Sequence, residues 1–298
     1  MLALEVAKPG RTSFPKASNL LSPSARVALL SDKRQEIIRP TFEHPKEFVL
    51  LSVRDLAKRL KTDPATVVRI VRGLRFSSYR EFQYYLHELS IANATSLDTM
   101  QSAGAKKYGV PAQVRASLDQ DGENLKALAR GFDARRVAAL SKRLYSARRI
   151  LLLGGDLAAH LVKILEYQLT FLGLPVASAT LPGEVVHRVR HLGKKDLLIA
   201  VSYRRGLRQT VEGLRQARAN GVYCIGITDS VVSPVGQFAN ECFLTSVETP
   251  SFSASYIAPV ALFNTFVVAC ANYRRSKTLV WLRKVEQEQR HGFRWFES

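Results

Sequence analysis

The chain has 298 residues, of which 46% are hydrophobic and 23% charged, and its formal net charge is +19. These values exclude an intrinsically disordered chain and are typical of a folded protein long enough for two domains. No apolar run approaches the ~18 consecutive residues that a membrane span needs, so we expect no membrane partner. The positive charge favours a polyanionic partner but does not locate its binding surface.

The N-terminus predicts a flexible leader, because residues 1–20 mix proline, glycine, serine and basic residues without periodicity. No signal-peptide pattern occurs there. The three cysteines, Cys224, Cys242 and Cys270, lie in apolar runs and lack metal-ligand spacing. We therefore expect buried reduced thiols, a cytoplasmic location, and neither a metal ion nor a cofactor.

Two short helices joined by a tight turn are predicted between Ser52 and Leu74. Ser52 with Asp55 forms a capping box at the start of the first helix. Asp63 followed by Pro64 supplies an N-cap and a first-turn proline to the second helix. Both helices carry apolar residues at a 3.6-residue period, which two ordinary core helices would also show. The capped pair with its three-residue turn favours a helix-turn-helix that binds DNA.

The second of these helices is predicted to read DNA. Opposite its apolar stripe lie Ala65, Arg69 and Arg72, with Thr66 on the flank. Alanine or a threonine methyl can contact a thymine methyl, and arginine can donate two hydrogen bonds to guanine O6 and N7. The next helix starts with candidate phosphate contacts, for which simple capping and packing is an equally good interpretation: Ser77, Ser78 and Tyr79.

The second half of the chain alternates short apolar runs with helical patterns. Runs that are apolar on both faces and separated by crossovers predict a parallel sheet covered by helices. The predicted strands are 149–153, 175–179, 196–201, 222–228 and 241–244. Ligands bind such sheets in the loops that leave the carboxyl ends of the strands. Candidate ligand-binding residues in these loops are Gly154, Gly155, Ser202, Arg204, Arg205, Thr228 and Ser230.

Three patterns in the first third point to one family. They are Leu-Ser-Pro-Ser at 21–24, Leu-Ser-Val-x-Asp-Leu-Ala-Lys-Arg-Leu at 51–60, and Leu-Arg-Phe-Ser-Ser-Tyr at 74–79. Together they resemble the N-terminal domain of RpiR-type bacterial transcriptional regulators. The resemblance implies that Thr66 and Arg69 face DNA, which agrees with the helical periodicity.

The second half resembles the sugar isomerase (SIS) domain that follows the N-terminal DNA-binding domain in RpiR-type regulators. The resemblance rests on the order of the loops, on Phe-Leu-Gly-Leu-Pro at 171–175 and on Ser-x-x-Ser-Pro at 230–234. It implies that the domain binds a phosphosugar. The order of the two domains is itself characteristic of the family.

The ligand loops depart from the usual SIS pattern. Ser-x-Ser-Gly-x-Thr would follow the third strand, but Ser202 is followed by Arg204, Arg205 and Leu207 at the matching positions, and the first loop carries an acid, Asp156, in place of a glycine. Two interpretations stay open. Arginines of the loop, Arg208 included, hold an anionic ligand by charge-assisted hydrogen bonds, or the site is vestigial and Asp156 pairs with one of them.

A phosphosugar isomerase or lyase is the alternative function, since Glu184 and His187 would share one helix face as an acid/base pair. The broken phosphate loop argues against turnover. A non-specific architectural DNA binder is a third possibility.

The sequence thus predicts an all-α helix-turn-helix domain at 21–92, a linker at 93–114, and a C-terminal α/β domain at 115–298 with a parallel five-stranded sheet flanked by helices. We expect a non-enzymatic, sequence-specific transcriptional regulator of sugar or carbon metabolism genes. Its expected partners are a double-stranded DNA operator, a phosphosugar-like anionic effector and further copies of itself in a homodimer or homotetramer.

Overall fold

The computed structural model describes residues 23–92, 96–104, 109–204, 206–230 and 233–291. The predicted leader and the candidate ligand residue Arg205 lie outside these ranges. Within them, no helix combines the length and the apolar character needed to cross a membrane.

The first third of the chain is helical and packs around one core. Phe82, Tyr85 and Leu86 point into this core and share it with Leu56 and Ile70 of the candidate DNA-binding helix pair. The helices are α1 (Pro23–Val27), α2 (Asp32–Glu43), α3 (Pro45–Phe48), α4 (Val53–Arg59), α5 (Pro64–Gly73) and α6 (Tyr79–Ala92).

A buried arginine fastens α1 to the rest of this helical unit. Arg26 is fully buried, and its guanidinium donates a 2.7 Å hydrogen bond to the carbonyl of Leu74, which ends α5. The guanidinium lies 4.1 Å from the ring centroid of Phe76 and 4.9 Å from that of Tyr85. Such a cation–π arrangement, away from water, stabilises the charge that burial would otherwise penalise.

The segment predicted as a linker, 93–114, is largely helical where the structure describes it. Helix α7 spans Ser96–Gly104, and α8 spans Val110–Gly131. The start of α8 lies inside the predicted linker because Gly109 and Pro111 form a helix start and helix-favouring residues follow. Buried Asn124 of α8 donates to the carbonyl of Glu248, so this helix packs on the C-terminal unit.

The C-terminal unit has a five-stranded parallel sheet with strand order β2-β1-β3-β4-β5. The predicted strands are confirmed to within one residue at either end. The strands are β1 (Ile150–Leu153), β2 (Val176–Ala179), β3 (Leu197–Val201), β4 (Tyr223–Thr228) and β5 (Glu241–Leu244). Alternate strand residues feed two cores, one on each face of the sheet, as both-face burial requires.

Helices cover both faces of this sheet. Helices α9 (Ala134–Ser146), α10 (Leu157–Phe171) and α14 (Ile257–Tyr273) supply one core, while α11 (Pro182–Arg190), α12 (Arg208–Ala219) and α13 (Pro234–Phe238) supply the other; α15 (Arg275–His291) follows α14. The chain order reverses between β1 and β3, so the loops leaving these neighbouring strands open a crevice at the carboxyl edge of the sheet. The three cysteines are free thiols, with Cys224 and Cys270 buried.

Candidate functional site

The candidate DNA-binding pair α4–α5 has the caps that the sequence predicts. The hydroxyl of Ser52 accepts the Asp55 N–H at 3.2 Å, and the Asp63 carboxylate accepts the Thr66 N–H at 2.8 Å. Between the helices, Lys61 has φ of 53°, the left-handed conformation that closes the turn. Each N-cap satisfies a backbone donor of the first turn and fixes where its helix begins.

The outward face of α5 presents small and cationic side chains. Ala65, Arg69 and Arg72 are exposed, whereas Thr66 is half-buried. The Thr66 hydroxyl donates to the Asp63 carboxylate at 2.6 Å, which turns its oxygen towards the cap. Helix α5 therefore exposes Arg69 and Arg72 on one face, while its opposite face packs into the core.

The three residues that open α6 have structural partners. The Ser77 hydroxyl donates to the Glu81 carboxylate at 2.6 Å, and the Ser78 hydroxyl accepts the Glu81 N–H at 3.1 Å. The half-buried Tyr79 phenol donates to the Leu51 carbonyl at 2.8 Å, and burial raises the pKa of Tyr79 to about 12. Capping and packing thus explain all three, and Tyr79 directs its hydroxyl inward to the protein.

At the other candidate site, the glycines after β1 allow close packing. A Cβ on Gly154 would lie 2.6 Å from the Ala158 carbonyl oxygen in the first turn of α10. A Cβ on Gly155 would meet the side-chain ends of Leu207 and Gln209 at 2.6 and 2.9 Å. The close approach of Gly155 to Leu207 and Gln209 brings the loops after β1 and β3 together.

Two non-glycine residues in these loops adopt left-handed φ. Asp156 has φ of 56° and ψ of −132°, and Arg204 has φ of 56°. Asp156 starts α10 without a side-chain cap hydrogen bond. The acid that replaces the usual glycine therefore keeps a glycine-like backbone, and strained backbone of this kind occurs most often at functional sites.

The polar groups of the loops after β3 and β4 are paired with one another. The Arg204 N–H donates to both oxygens of the Asp229 carboxylate, at 3.0 and 3.2 Å. The buried Thr228 hydroxyl donates to Ser233 at 2.8 Å. Burial raises the pKa of Asp229, and its hydrogen bonds oppose that rise. Arg204 thus pairs through its backbone with Asp229, a residue that the sequence patterns did not single out.

A carboxylate from the helical unit reaches the same loop. Glu88 of α6 accepts a hydrogen bond from Ser230, which is buried. Glu88 and Asp229 border one cavity of about 270 Å³, with part of its wall formed by α8 and by residues 244–248. Among the described residues, no group of histidine, cysteine or acidic side chains is arranged to hold a metal ion.

The comparisons with known proteins agree with this two-part architecture. The SIS domain family matches residues 143–269, which contain all five strands. The transcriptional regulator HexR of Pseudomonas aeruginosa is 25% identical over 220 residues, covering 73% of this chain and 75% of HexR. An HTH-type transcriptional regulator of Haemophilus influenzae is 23% identical over 76% of this chain and 79% of its own length.

Solved structures extend the match to both parts. The sugar isomerase domain of an RpiR transcription factor from Sphaerobacter thermophilus superposes with a TM-score of 0.56 and 26% identity, covering 60% of this chain and 98% of that domain. Residues 143–269 match the SIS domain family, and the chain as a whole is similar to RpiR-type transcriptional regulators. The fold of Vibrio vulnificus NanR, solved with ManNAc-6P, matches 92% of this regulator and 99% of NanR, with a TM-score of 0.56 and 16% identity.

The acid/base pair considered for an enzyme has a structural role in this regulator. The Glu184 carboxylate accepts the N–H groups of Thr180 and Leu181 at 3.0 and 3.4 Å, which holds the start of α11. These backbone hydrogen bonds lower the pKa of Glu184. A general acid needs a raised carboxyl pKa, so the shift has the wrong sign for that role. His187 is exposed on the same helix.

Proposed function

We propose that the regulator binds a specific DNA operator through α5 and responds to an anionic, phosphosugar-like effector at the SIS loops. The observation that carries the first part is the capped α4–α5 pair, with Arg69 and Arg72 exposed opposite a buried stripe. An α-helix with this outward face fits the major groove, where arginine can distinguish guanine. Ala65 and the Thr66 methyl would contact neighbouring thymines.

The effector part of the proposal is supported by the crevice and by the relatives. Gly154 and Gly155 follow β1, and Ser202 and Arg204 follow β3, so these residues border the crevice where ligands bind sheets of this topology. The NanR structure that shares the fold holds a sugar phosphate, ManNAc-6P. A phosphosugar or sugar acid is therefore the class we assign, and sugar or carbon metabolism genes are the proposed targets.

No turnover is part of this proposal, because Glu184 is occupied as a helix cap. Two copies of the chain would present two α5 helices to a near-palindromic operator, so we propose a homodimer or a homotetramer as the working form. The SIS unit would supply the association surface.

Selection of bound fragments from genomic DNA, followed by titration of the best site and a scrambled site, tests the DNA-binding proposal. Arg69→Ala should lose about 1 to 3 kcal/mol on the selected site and little on scrambled DNA, since one bidentate base contact is worth that much. Arg190→Ala is the matched control, because Arg190 is an exposed arginine of α11 and its substitution removes the same charge far along the chain from α5.

Equal losses on both DNAs would identify Arg69 as a phosphate contact and move base reading elsewhere on α5. An absence of preference by the wild-type protein at any salt concentration would overturn the operator proposal. Phosphosugar turnover assays on the same preparations would expose a residual isomerase activity.

A further inference from the structure

The helical unit α1–α6, called the reader below, and the loops after β3 and β4, called the effector loops, are joined by direct contacts. Glu88 lies in the last part of α6, the helix that packs against α5, and borders one cavity together with Asp229 of the loop after β4. The Ser230 hydroxyl of the same loop donates a hydrogen bond to the Glu88 carboxylate. The Arg204 guanidinium lies 3.4 Å from the Thr99 hydroxyl of α7, which follows α6 in the chain. Two effector-loop residues thus bond to the segment that leaves the reader.

The donors used in these contacts are those that an anionic ligand would need. Ser230 offers a hydroxyl, and Arg204 offers a backbone N–H held by its left-handed φ of 56°. Both donate to carboxylates of the chain itself, Ser230 to Glu88 and Arg204 to Asp229. Two internal carboxylates therefore occupy the anion-binding donors of the loops after β3 and β4.

The structure thus assigns Glu88 a regulatory role: it occupies the effector loop as an internal competitor, and an anionic effector that takes Ser230 and the Arg204 N–H releases α6 from the SIS unit. This inference rests on the proposed effector site and names its coupling to the reader. The effector can shift the arrangement only by its difference in affinity between the latched and released forms. Breaking the Glu88–Ser230 contact contributes to this difference in affinity, because the contact exists only in the latched form.

The surroundings of Glu88 include both hydrogen-bond donors and a like charge. Asp229 borders the same cavity and places a like charge near the Glu88 carboxylate, while Tyr84 and Ser230 donate to that carboxylate and His87 lies beside it on α6. Burial and the Asp229 charge act together to raise the pKa of Glu88.

The proposed Glu88–Ser230 contact, called the latch below, is tested first without any ligand, on the full-length protein. Glu88→Ala, Ser230→Ala and the double variant are compared by hydrogen exchange of α6 and α7, with Glu36→Ala on α2 as an exposed carboxylate control. Each single variant should accelerate exchange in α6–α7 at least threefold, and the double variant should add little to either. Full additivity of the two single effects, or unchanged exchange in both, would overturn the latch.

Competition is tested with glucose 6-phosphate and inorganic phosphate as probes. Glu88→Ala should bind the probe at least threefold more tightly than wild type, whereas Glu36→Ala should match wild type. Equal affinities in wild type and Glu88→Ala would refute competition. If neither variant binds any probe while the ligand-free coupling is present, the effector class fails and the interdomain contact stands, so the two proposals are separable.

Discussion

The reader helix and the effector loops use polar residues in opposite ways. On α4 and α5, Ser52 and Asp63 satisfy local backbone donors, and Arg69 and Arg72 extend to the solvent. In the loops after β3 and β4, the polar groups bond to one another and to Glu88 of the reader. The proposed DNA face is therefore preformed, whereas the donors of the proposed effector site are already paired within the chain.

This difference indicates where binding energy would be used. A preformed face needs no rearrangement before it contacts DNA, so its affinity depends on the exposed side chains and on salt. A self-occupied site requires that a ligand replace existing hydrogen bonds, which lowers its apparent affinity and couples binding to a structural change. A substitution that destabilises the structure around one of these regions should therefore leave the structure of the other unchanged.

The largest expected effect comes from removing the buried cation of the reader. Arg26→Ala loses the hydrogen bond to the Leu74 carbonyl, the contacts with Phe76 and Tyr85, and a large buried volume. We expect the reader to be destabilised by about 3 to 5 kcal/mol. Hydrogen exchange of α5 and α6 should rise towards that of an unfolded segment while the β-sheet stays protected.

Arg39→Ala is the control for this variant, because Arg39 is exposed on α2 and its removal should change stability by under about 0.5 kcal/mol. Wild-type protection of α5 in Arg26→Ala would show that the guanidinium does not fix the reader. Loss of sheet protection in the same variant would show that the two units unfold together.

An intermediate effect is expected at the first SIS loop, where two adjacent glycines differ in what surrounds them. Gly154→Ala places a Cβ 2.6 Å from a backbone carbonyl of α10, which cannot move without shifting the helix. We expect a loss of about 2 kcal/mol in the SIS unit. Gly155→Ala meets only the flexible ends of Leu207 and Gln209, so its loss should be smaller.

Urea unfolding followed by tryptophan fluorescence measures both variants, since Trp281 and Trp295 lie in the C-terminal half of the chain. If Gly155→Ala proved the more damaging, the loop after β1 would be positioned by its contact with Leu207 rather than by α10. Operator binding by the reader should be the same in both variants.

Local rules in the sequence predict the fold well and the site only partly. The strands are recognisable because both faces are apolar, and the starts of α4 and α5 because Ser52 and Asp63 are strong caps. The Glu88–Ser230 contact depends on how two units pack, and no spacing in the sequence indicates it. Asp229 escaped notice because its partner is a backbone N–H, which any residue at position 204 would offer.

The left-handed conformation of Asp156 is another feature of the site that sequence patterns do not predict. Its substitution gives the smallest effect that we expect. The sequence shows an acid, Asp156, where the SIS pattern has a glycine, but an acid does not by itself indicate the φ of 56° and ψ of −132° found there. The residue therefore carries two separate costs, one electrostatic and one conformational. Matched substitutions can separate them.

Asp156→Gly should stabilise the SIS unit by about 1 kcal/mol, because glycine adopts this backbone without the strain that a Cβ introduces. The gain is limited since glycine also increases the entropy of the unfolded chain. Asp156→Ala removes the same carboxylate but keeps the Cβ, so it should be neutral or slightly destabilising. No cap hydrogen bond is lost in either variant, because the Asp156 side chain makes none at the start of α10.

Urea unfolding of the two variants beside wild type gives the conformational part, and titration with glucose 6-phosphate gives the electrostatic part. Both variants should bind the probe equally well and more tightly than wild type, since both remove a like charge from the crevice. Equal stabilities of Asp156→Gly and Asp156→Ala would show that the left-handed conformation costs nothing here. Unchanged probe affinity in both would mean that the carboxylate faces away from the anion, leaving Glu88 and Asp229 as the internal charges that an effector displaces.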